Sequence, residues 1–286
     1  DCNAWKGKLL VDLNRSPLRV RGGRAPDPGA EIEGRKREAL QLLALHALPH
    51  NAHKGLWDTL DVSYFMRHQA DEIAWHTRVL SRELAKADRD PDRCIVRARL
   101  SPEGEGLQVL VYAPDQSDLF ARICGYFDMS QFSILDARVH TTLTGHALDT
   151  FQVVVPELAE HYRELVAMVE NRLAQVIDSR GPLPPPTKGR LSRRVKSFPI
   201  TPRVDLRPDE KAQRWLLSVS ASDRAGLLYG ISRVLARHGV SVQLAKISTL
   251  GERVEDTFLI SGAPLQVNKR QIEIETELLE TLERQS

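Results

Sequence analysis

The sequence predicts an α+β protein, with an all-α segment followed by two copies of a β-α-β-β-α unit. Three observations lead there. Large apolar residues at helical spacing run through residues 1–86. Beyond residue 94 the texture changes to short alternating stretches broken by turns. The last third of the chain then repeats the middle third at a separation of 108 residues, as Asp115 and Asp223 show.

The helical part is read first. Trp5, Leu9, Leu10 and Leu13 predict a short amphipathic helix over 1–13, with too little surface to stand alone. Asn14 to Ala30 reads as a loop, basic over residues 15–24 and then rich in proline and glycine. Ala39, Leu40, Leu42, Leu43, Leu45 and Ala47 predict a helix from Ile32 to Leu48, ended by Pro49. Residues 56–86 supply one or two further helices with Asp71 as N-cap. His46, His50 and His53 do not make a metal site, because Pro49 breaks the helix that would align the first two.

Ala85 to Arg93 is a polar linker. Ile95–Leu100 and Leu107–Ala113 alternate around a glycine-containing turn, which is a hairpin signal. A helix follows Asp118, with Ile123 and Phe127 on its inner face. Strands at Phe132–His140 and Leu148–Val155 come next, and a helix from about Glu160 to Val176 completes the unit.

The second copy lies beyond a Pro-rich and then basic linker, with the basic residues over 188–196. Leu119-Phe120 matches Leu227-Leu228 and Ala137-Arg138-Val139 matches Ala245-Lys246-Ile247. Asp149-Thr150-Phe151 matches Asp256-Thr257-Phe258 one residue early, so the second hairpin loop is shorter. Inward positions run Phe132, Ile134, then Ala137, Val139 in one copy and Val240, Val242, then Ala245, Ile247 in the other. Alternation slips by one residue at the same place in both, as a β-bulge requires. A β-α-β-β-α order gives an antiparallel sheet backed by helices, the ferredoxin-like arrangement. The division expected is a helical segment over 1–86, one unit over 94–180, a linker over 181–202 and a second unit over 203–286.

The turn Asp223-Arg224-Ala225-Gly226-Leu227 joins a strand to a helix. One reading makes Asp223 the N-cap and lets Gly226 relieve crowding. The other has the outward amides of the helix start hold the carboxylate of a small ligand.

These residues resemble the ACT family of small-molecule-sensing modules, which often bind amino acids. Asp-Arg-x-Gly-Leu-Leu after a strand, Ala-Lys-Ile-Ser-Thr and Asp-Thr-Phe carry the likeness. With Leu56-Trp57, Tyr64-Phe65 and Glu72-Ile73-Ala74-Trp75-His76-Thr77 ahead of the pair, the chain is similar to the end of the uridylyltransferase family of bacterial nitrogen control. That resemblance implies an HD-type domain ending in residues 1–86 and a glutamine-sensing ACT pair after it. Further upstream it implies catalytic domains that use Mg2+ to add uridylyl groups to the PII signal protein, and remove them. Neither catalytic centre is expected here, since no Gly-Ser turn with paired aspartates and no His-Asp dipeptide occurs.

The family's ligand-facing turn carries over onto Asp223, Arg224, Gly226 and Leu227. In the first copy only Asp115 and Leu119 match, because Asp118 stands where the glycine would be. The expected ligand is L-glutamine, its carboxylate on the helix amides, its ammonium on Asp223 or Asp115, and its side-chain amide read near Val240–Gln243. An ACT pair sensing another amino acid for a different biosynthetic enzyme is the alternative. RNA binding would need exposed strand aromatics, whereas Phe151 and Phe258 read as core.

A net charge of +2 draws the chain to neither nucleic acid nor membrane. No apolar stretch approaches the length of a bilayer span. Three scattered cysteines without a CxxC pair suggest free thiols in the cytoplasm. A start at Asp1 leads us to expect a piece of a longer protein.

Overall fold

A computed structural model describes residues 28–46, 48–86, 90–102, 106–155, 162–187, 200–209, 213–250 and 252–283. The predicted helix over 1–13 and the basic stretches at 15–24 and 188–196 lie outside them. The chain divides into a helical unit ending at Asp90 and a sheet-containing unit from Pro91 onward, the hairpin tip 142–144 aside.

The helical unit contains α1 (Pro28–Ala44), α2 (Lys54–Trp57), α3 (Val62–Arg67) and α4 (Ala70–Leu84). Helix α1 is displaced toward the N-terminus from the predicted Ile32–Leu48. Pro28 can open a helix because the first position has no N–H bond to lose. Leu45 lies beyond its end and is 80% exposed, so the apolar face stops at Leu43. Asp71 is not a cap. Gln69 caps α4, its backbone N–H donating to the Glu72 carboxylate, and Asp61 caps α3 by accepting from Ser63 N and Tyr64 N. Arg35 reaches from α1 to the carbonyls of Phe65, Met66 and His68, which the end of α3 leaves without helical partners.

The aromatic motif of this segment is structural. Trp57 Nε1 donates to Thr77 Oγ1 at 2.8 Å, and the buried Tyr64 hydroxyl meets His76 Nδ1 at 2.7 Å. Each ring buries its apolar body while its polar tip keeps a partner.

The second unit holds β1 (Ile95–Leu100), β2 (Leu107–Pro114), α5 (Leu119–Met129), β3 (Ser133–Arg138), β4 (His146–Val154) and α6 (Tyr162–Ser179). The second copy supplies β5 (Arg203–Pro208), β6 (Trp215–Ser222), α7 (Leu227–Arg237), β7 (Ser241–Lys246), β8 (Thr249–Leu250), β9 (Arg253–Ser261) and α8 (Asn268–Glu283). Strand register slips between Ile134 and Asp136 in one copy and between Val242 and Leu244 in the other. These are the repeat-equivalent positions at which the sequence alternation breaks.

All strands join in a single sheet, ordered β1-β2-β4-β3-β7-β9-β6-β5, with the short β8 on β9. The two copies meet edge to edge at β3 and β7, antiparallel. Ala137 faces Ala245, its own repeat counterpart, while Asp136 faces Lys246 and Arg138 faces Leu244. Beyond these pairs Val139 N donates to Gln243 O and Ile247 N to Leu135 O, both at 3.0 Å. Equivalent residues exchange roles across the seam, so the copies are related by a local two-fold axis through the alanine pair. The seam also satisfies the unpaired backbone groups that each unit's edge strand would otherwise present.

One continuous core spans both copies, with Phe151 and Phe258 at 0% exposure. Neither ring is available to stack on a base. Cys94 and Cys124 are free thiols, and burial pushes both up, Cys94 to about 12.

The linker begins bound rather than loose. Residues 181–187 lie against the helices: Gly181 O accepts from Arg122, Pro184 O accepts from the Tyr229 hydroxyl, and Thr187 donates twice to Asp128 Oδ2. Helix α5 admits Tyr229 of α7 closely, since a Cβ on Gly125 would stand 2.8 Å from its ring.

Ala137 and Ala245 are both fully buried at the seam. Ala137→Leu and Ala245→Leu should each cost about 1–3 kcal/mol by overpacking. The two should be similar because the axis makes their surroundings equivalent. Urea unfolding midpoints check this.

Candidate ligand site between the repeats

The turns at the start of α5 and α7 are built alike up to one residue. Asp115 N donates to Gly145 O at 3.0 Å and Asp223 N to Glu252 O at 2.8 Å, repeat-equivalent bonds that pin each turn to the β3–β4 or β8–β9 hairpin. The copies then diverge at the cap. In α7 the N-cap is Gly226, at φ 80°, with no side-chain cap bond. Asp223 is therefore not the helix cap, contrary to the first of the two sequence readings. It stands three residues upstream, and the left-handed glycine alone turns the chain into the helix. Asp118 occupies the corresponding position at φ −107°, and its carboxylate is paired to Arg122 at 2.5 Å.

A cavity of about 580 Å³ opens beside the α7 turn, where the two copies meet. Asp223, Arg224, Gly226 and Leu227 line it, joined by Asp256 from β9 and Thr187 from the linker. The opposite wall is Ser133–Leu135 with Phe127 and Asp128. These strand residues are the repeat counterparts of Ser241–Gln243. The strand wall thus comes from the other copy, not from Val240–Gln243 as read from the sequence, because the two-fold seam sets β3 beside the α7 turn. Asp115 and Leu119 are not among the lining residues.

Gly226 is crowded by the chain itself. A Cβ there would lie 2.5 Å from Thr187 O and 3.2 Å from Pro186 Cβ. Arg224 points elsewhere: its guanidinium donates to Thr281 O and Leu282 O at 2.8 Å each, at the end of α8. A cation is favourable there, since the last carbonyls of a helix carry its negative pole. Burial lowers the Arg224 pKa from its usual value.

Asp256 is the group the sequence did not single out. It is 2% exposed, and its Oδ1 has no hydrogen-bond partner among the described residues. Burial pushes its carboxyl up to about 7; the Ser248 backbone opposes this and the charge of Asp223 adds to it. Asp149, its counterpart, is also buried and well above the ordinary range, chiefly by burial, then by Asp115. Its Oδ1 accepts from His140 N at 3.3 Å, and Ser248, the repeat counterpart of His140, gives Asp256 the equivalent backbone bond. A carboxylate within an apolar strand is costly without partners, and that cost was the available signal.

Two features of this cavity are chemically opposed. Its lining holds the carboxylates Asp223 and Asp256. It also holds the first turn of α7, where Leu228 and Tyr229 amides have no acceptor four residues back within the helix. A small molecule with a cationic and an anionic end would meet complementary charge at both.

Similarity to known proteins follows the same division of the chain. Residues 27–79 match the model described as the uridylyltransferase GlnD fifth domain, and residues 215–275 match the ACT domain. Bifunctional uridylyltransferase/uridylyl-removing enzymes of Burkholderia thailandensis (strain E264) and Burkholderia mallei (strain SAVP1) are each 56% identical over 280 residues, 98% of this chain. This chain matches the C-terminal part of the bifunctional uridylyltransferase/uridylyl-removing enzymes. It spans 32% of the length of these curated relatives. The ACT match begins at Trp215, the first residue of β6, and ends within α8, so the α7 turn and Asp256 lie inside the ACT portion. The Trp57–Thr77 and Tyr64–His76 contacts lie inside the fifth-domain portion.

The raised Asp256 pKa gives a pH dependence of definite sign. The folded protein holds this proton to about 7, whereas the ordinary value is 3.8. Between those values the unfolded chain binds fewer protons, so the group's contribution to stability falls as pH rises and levels off above about 7. Asp256→Asn should flatten the decline in thermal midpoint between about pH 5 and about pH 8. Gly226→Ala should destabilise by about 1–2 kcal/mol from the left-handed backbone alone. It should also loosen residues 186–187, seen as faster amide exchange at Thr187.

Proposed function

We propose that this chain is the regulatory end of a uridylyltransferase and that it binds L-glutamine in the cavity between the ACT repeats. The observation that carries this reading is the buried Asp256 carboxylate, whose Oδ1 has no partner among the described residues, lining the same cavity as the α7 first turn. The ligand's ammonium pairs with Asp256 and Asp223, and its α-carboxylate takes the Leu228 and Tyr229 amides. The wall from Ser133 to Leu135, at the β3 bulge, offers backbone groups to a side-chain amide. A volume of about 580 Å³ suits a ligand of this class.

Similarity to the uridylyltransferases extends the proposal to the whole protein, in the cytoplasm. There, catalytic domains ahead of this segment use Mg2+ and act on the PII signal protein, and glutamine shifts the balance between adding and removing uridylyl groups. The differential contact is at the seam. A ligand bridging the α7 turn and β3 binds only while those elements are correctly placed, so it favours that placement over others.

Calorimetric titration with glutamine tests the reading. Binding should be measurable, and Asp256→Asn should weaken it about tenfold or more, the size of a hydrogen bond to a charged group. Affinity for the unmodified chain should rise with pH toward about 7, since the ligand's ammonium needs Asp256 ionised. No heat, no thermal shift, or equal affinity in Asp256→Asn would remove glutamine from this cavity. Preference for another amino acid would move the chain to the alternative reading, an ACT sensor for a different metabolite.

A further inference from the structure

A second cavity, of about 560 Å³, lies in the first copy between α5, α6 and the bound part of the linker. It is separate from the seam: the two share no lining residue. Two of its polar groups are buried and incompletely satisfied. Arg122 is 6% exposed; one Nη donates to Gly181 O at 2.7 Å, the other to Asp118 Oδ2, and Nε has no partner among the described residues. Tyr126 is 7% exposed, and its hydroxyl likewise lacks a partner in bonding geometry, although Ser130 and the charge of Arg172 are near enough to offset part of the effect of its burial. A guanidinium fork has donors for five bonds, and leaving a buried donor unmade costs more than making it gains.

The remaining walls fix what could satisfy them. Met168, Val176 and Leu183 supply apolar surface, Arg172 is exposed and adds a positive charge, and among the described residues no acidic side chain lines the space. Asp118 already balances the charge of Arg122, so Arg172 leaves the cavity positive by about one charge. A few convergent donors on an apolar wall, at this volume, are the features of a small-molecule pocket rather than of a water-filled gap.

We infer that this cavity is a second ligand site, one that takes a small organic carboxylate with a short apolar body. The carboxylate accepts from Arg122 Nε and the Tyr126 hydroxyl with Arg172 over it, and the body lies on Met168, Val176 and Leu183. Residues 181–184 form one wall, and Pro186 and Thr187 close on Gly226 at the seam. A ligand here therefore rests on the same linker segment that touches the other cavity.

The chain has three methionines, Met66, Met129 and Met168. Met129 and Met168 line this cavity, and Met66 lies in the helical unit as an internal reference. Methyl-labelled methionine NMR on the 286-residue chain reads binding of hexanoate, with hexanamide and inorganic phosphate as controls. Hexanoate should shift the Met129 and Met168 methyls saturably and leave Met66 still. Hexanamide and phosphate should bind more weakly. Tyr126→Phe keeps the ring and its packing, and should weaken hexanoate about fivefold, the scale of a single hydrogen bond. Arg122→Lys should weaken it further. The inference is overturned if no methyl moves at about 20 mM hexanoate, a generous ceiling for a weak ligand. It is also overturned if hexanamide or phosphate binds as well as hexanoate, or if Tyr126→Phe binds unchanged.

Discussion

The seam between β3 and β7 is the constraint on which the rest depends. Each ferredoxin-like unit alone would present an edge strand with unpaired backbone groups, a liability that folded proteins pair or cover. Here the two edges satisfy each other about Ala137 and Ala245. Small side chains at the axis fit where both copies supply fully buried positions. Because the pairing is two-fold, it sets β3 of one copy beside the α7 turn of the other. The cavity with the ligand-like charge arrangement arises from that placement.

The two-fold relation is then broken by a few residues. Gly226 against Asp118 makes one helix start left-handed and backbone-lined, and gives the other a carboxylate held by Arg122. Tyr229 against Ala121 lets one helix reach the linker carbonyl of Pro184. Asp256 keeps the backbone bond that Asp149 has, from Ser248 in place of His140, but its Oδ1 has no partner among the described residues. A repeat of this kind keeps a fold twice and frees one copy to change. In the second copy the changes converge on a ligand-like cavity at the seam. In the first they leave Arg122 and Tyr126 facing another cavity.

Much of the fold was legible in the sequence. The element order, the 108-residue repeat and the shared bulge all follow from alternation, which is a local property. Phe151 and Phe258 read as core and are. The site was legible only in part. Asp223, Gly226 and Leu227 line the cavity, yet the strand facing them came from the other copy, because no periodicity reports how two edges pair. Arg224 belongs to the same motif but caps α8, a contact between residues 58 apart in sequence. Asp256 was visible as a repeat marker; its significance depends on burial and a missing partner, which only three-dimensional packing supplies. Helix limits moved for local reasons, as Pro28 and Gln69 show.

The account rests on one claim, that the seam cavity holds an amino acid across the two copies. A crystal structure of this chain grown with glutamine addresses it directly. The account predicts density for the ligand's ammonium within hydrogen-bond distance of Asp256, and for its carboxylate at the Leu228 and Tyr229 amides. Glutamine at the Asp115–Leu119 turn with the seam cavity filled by water would contradict it.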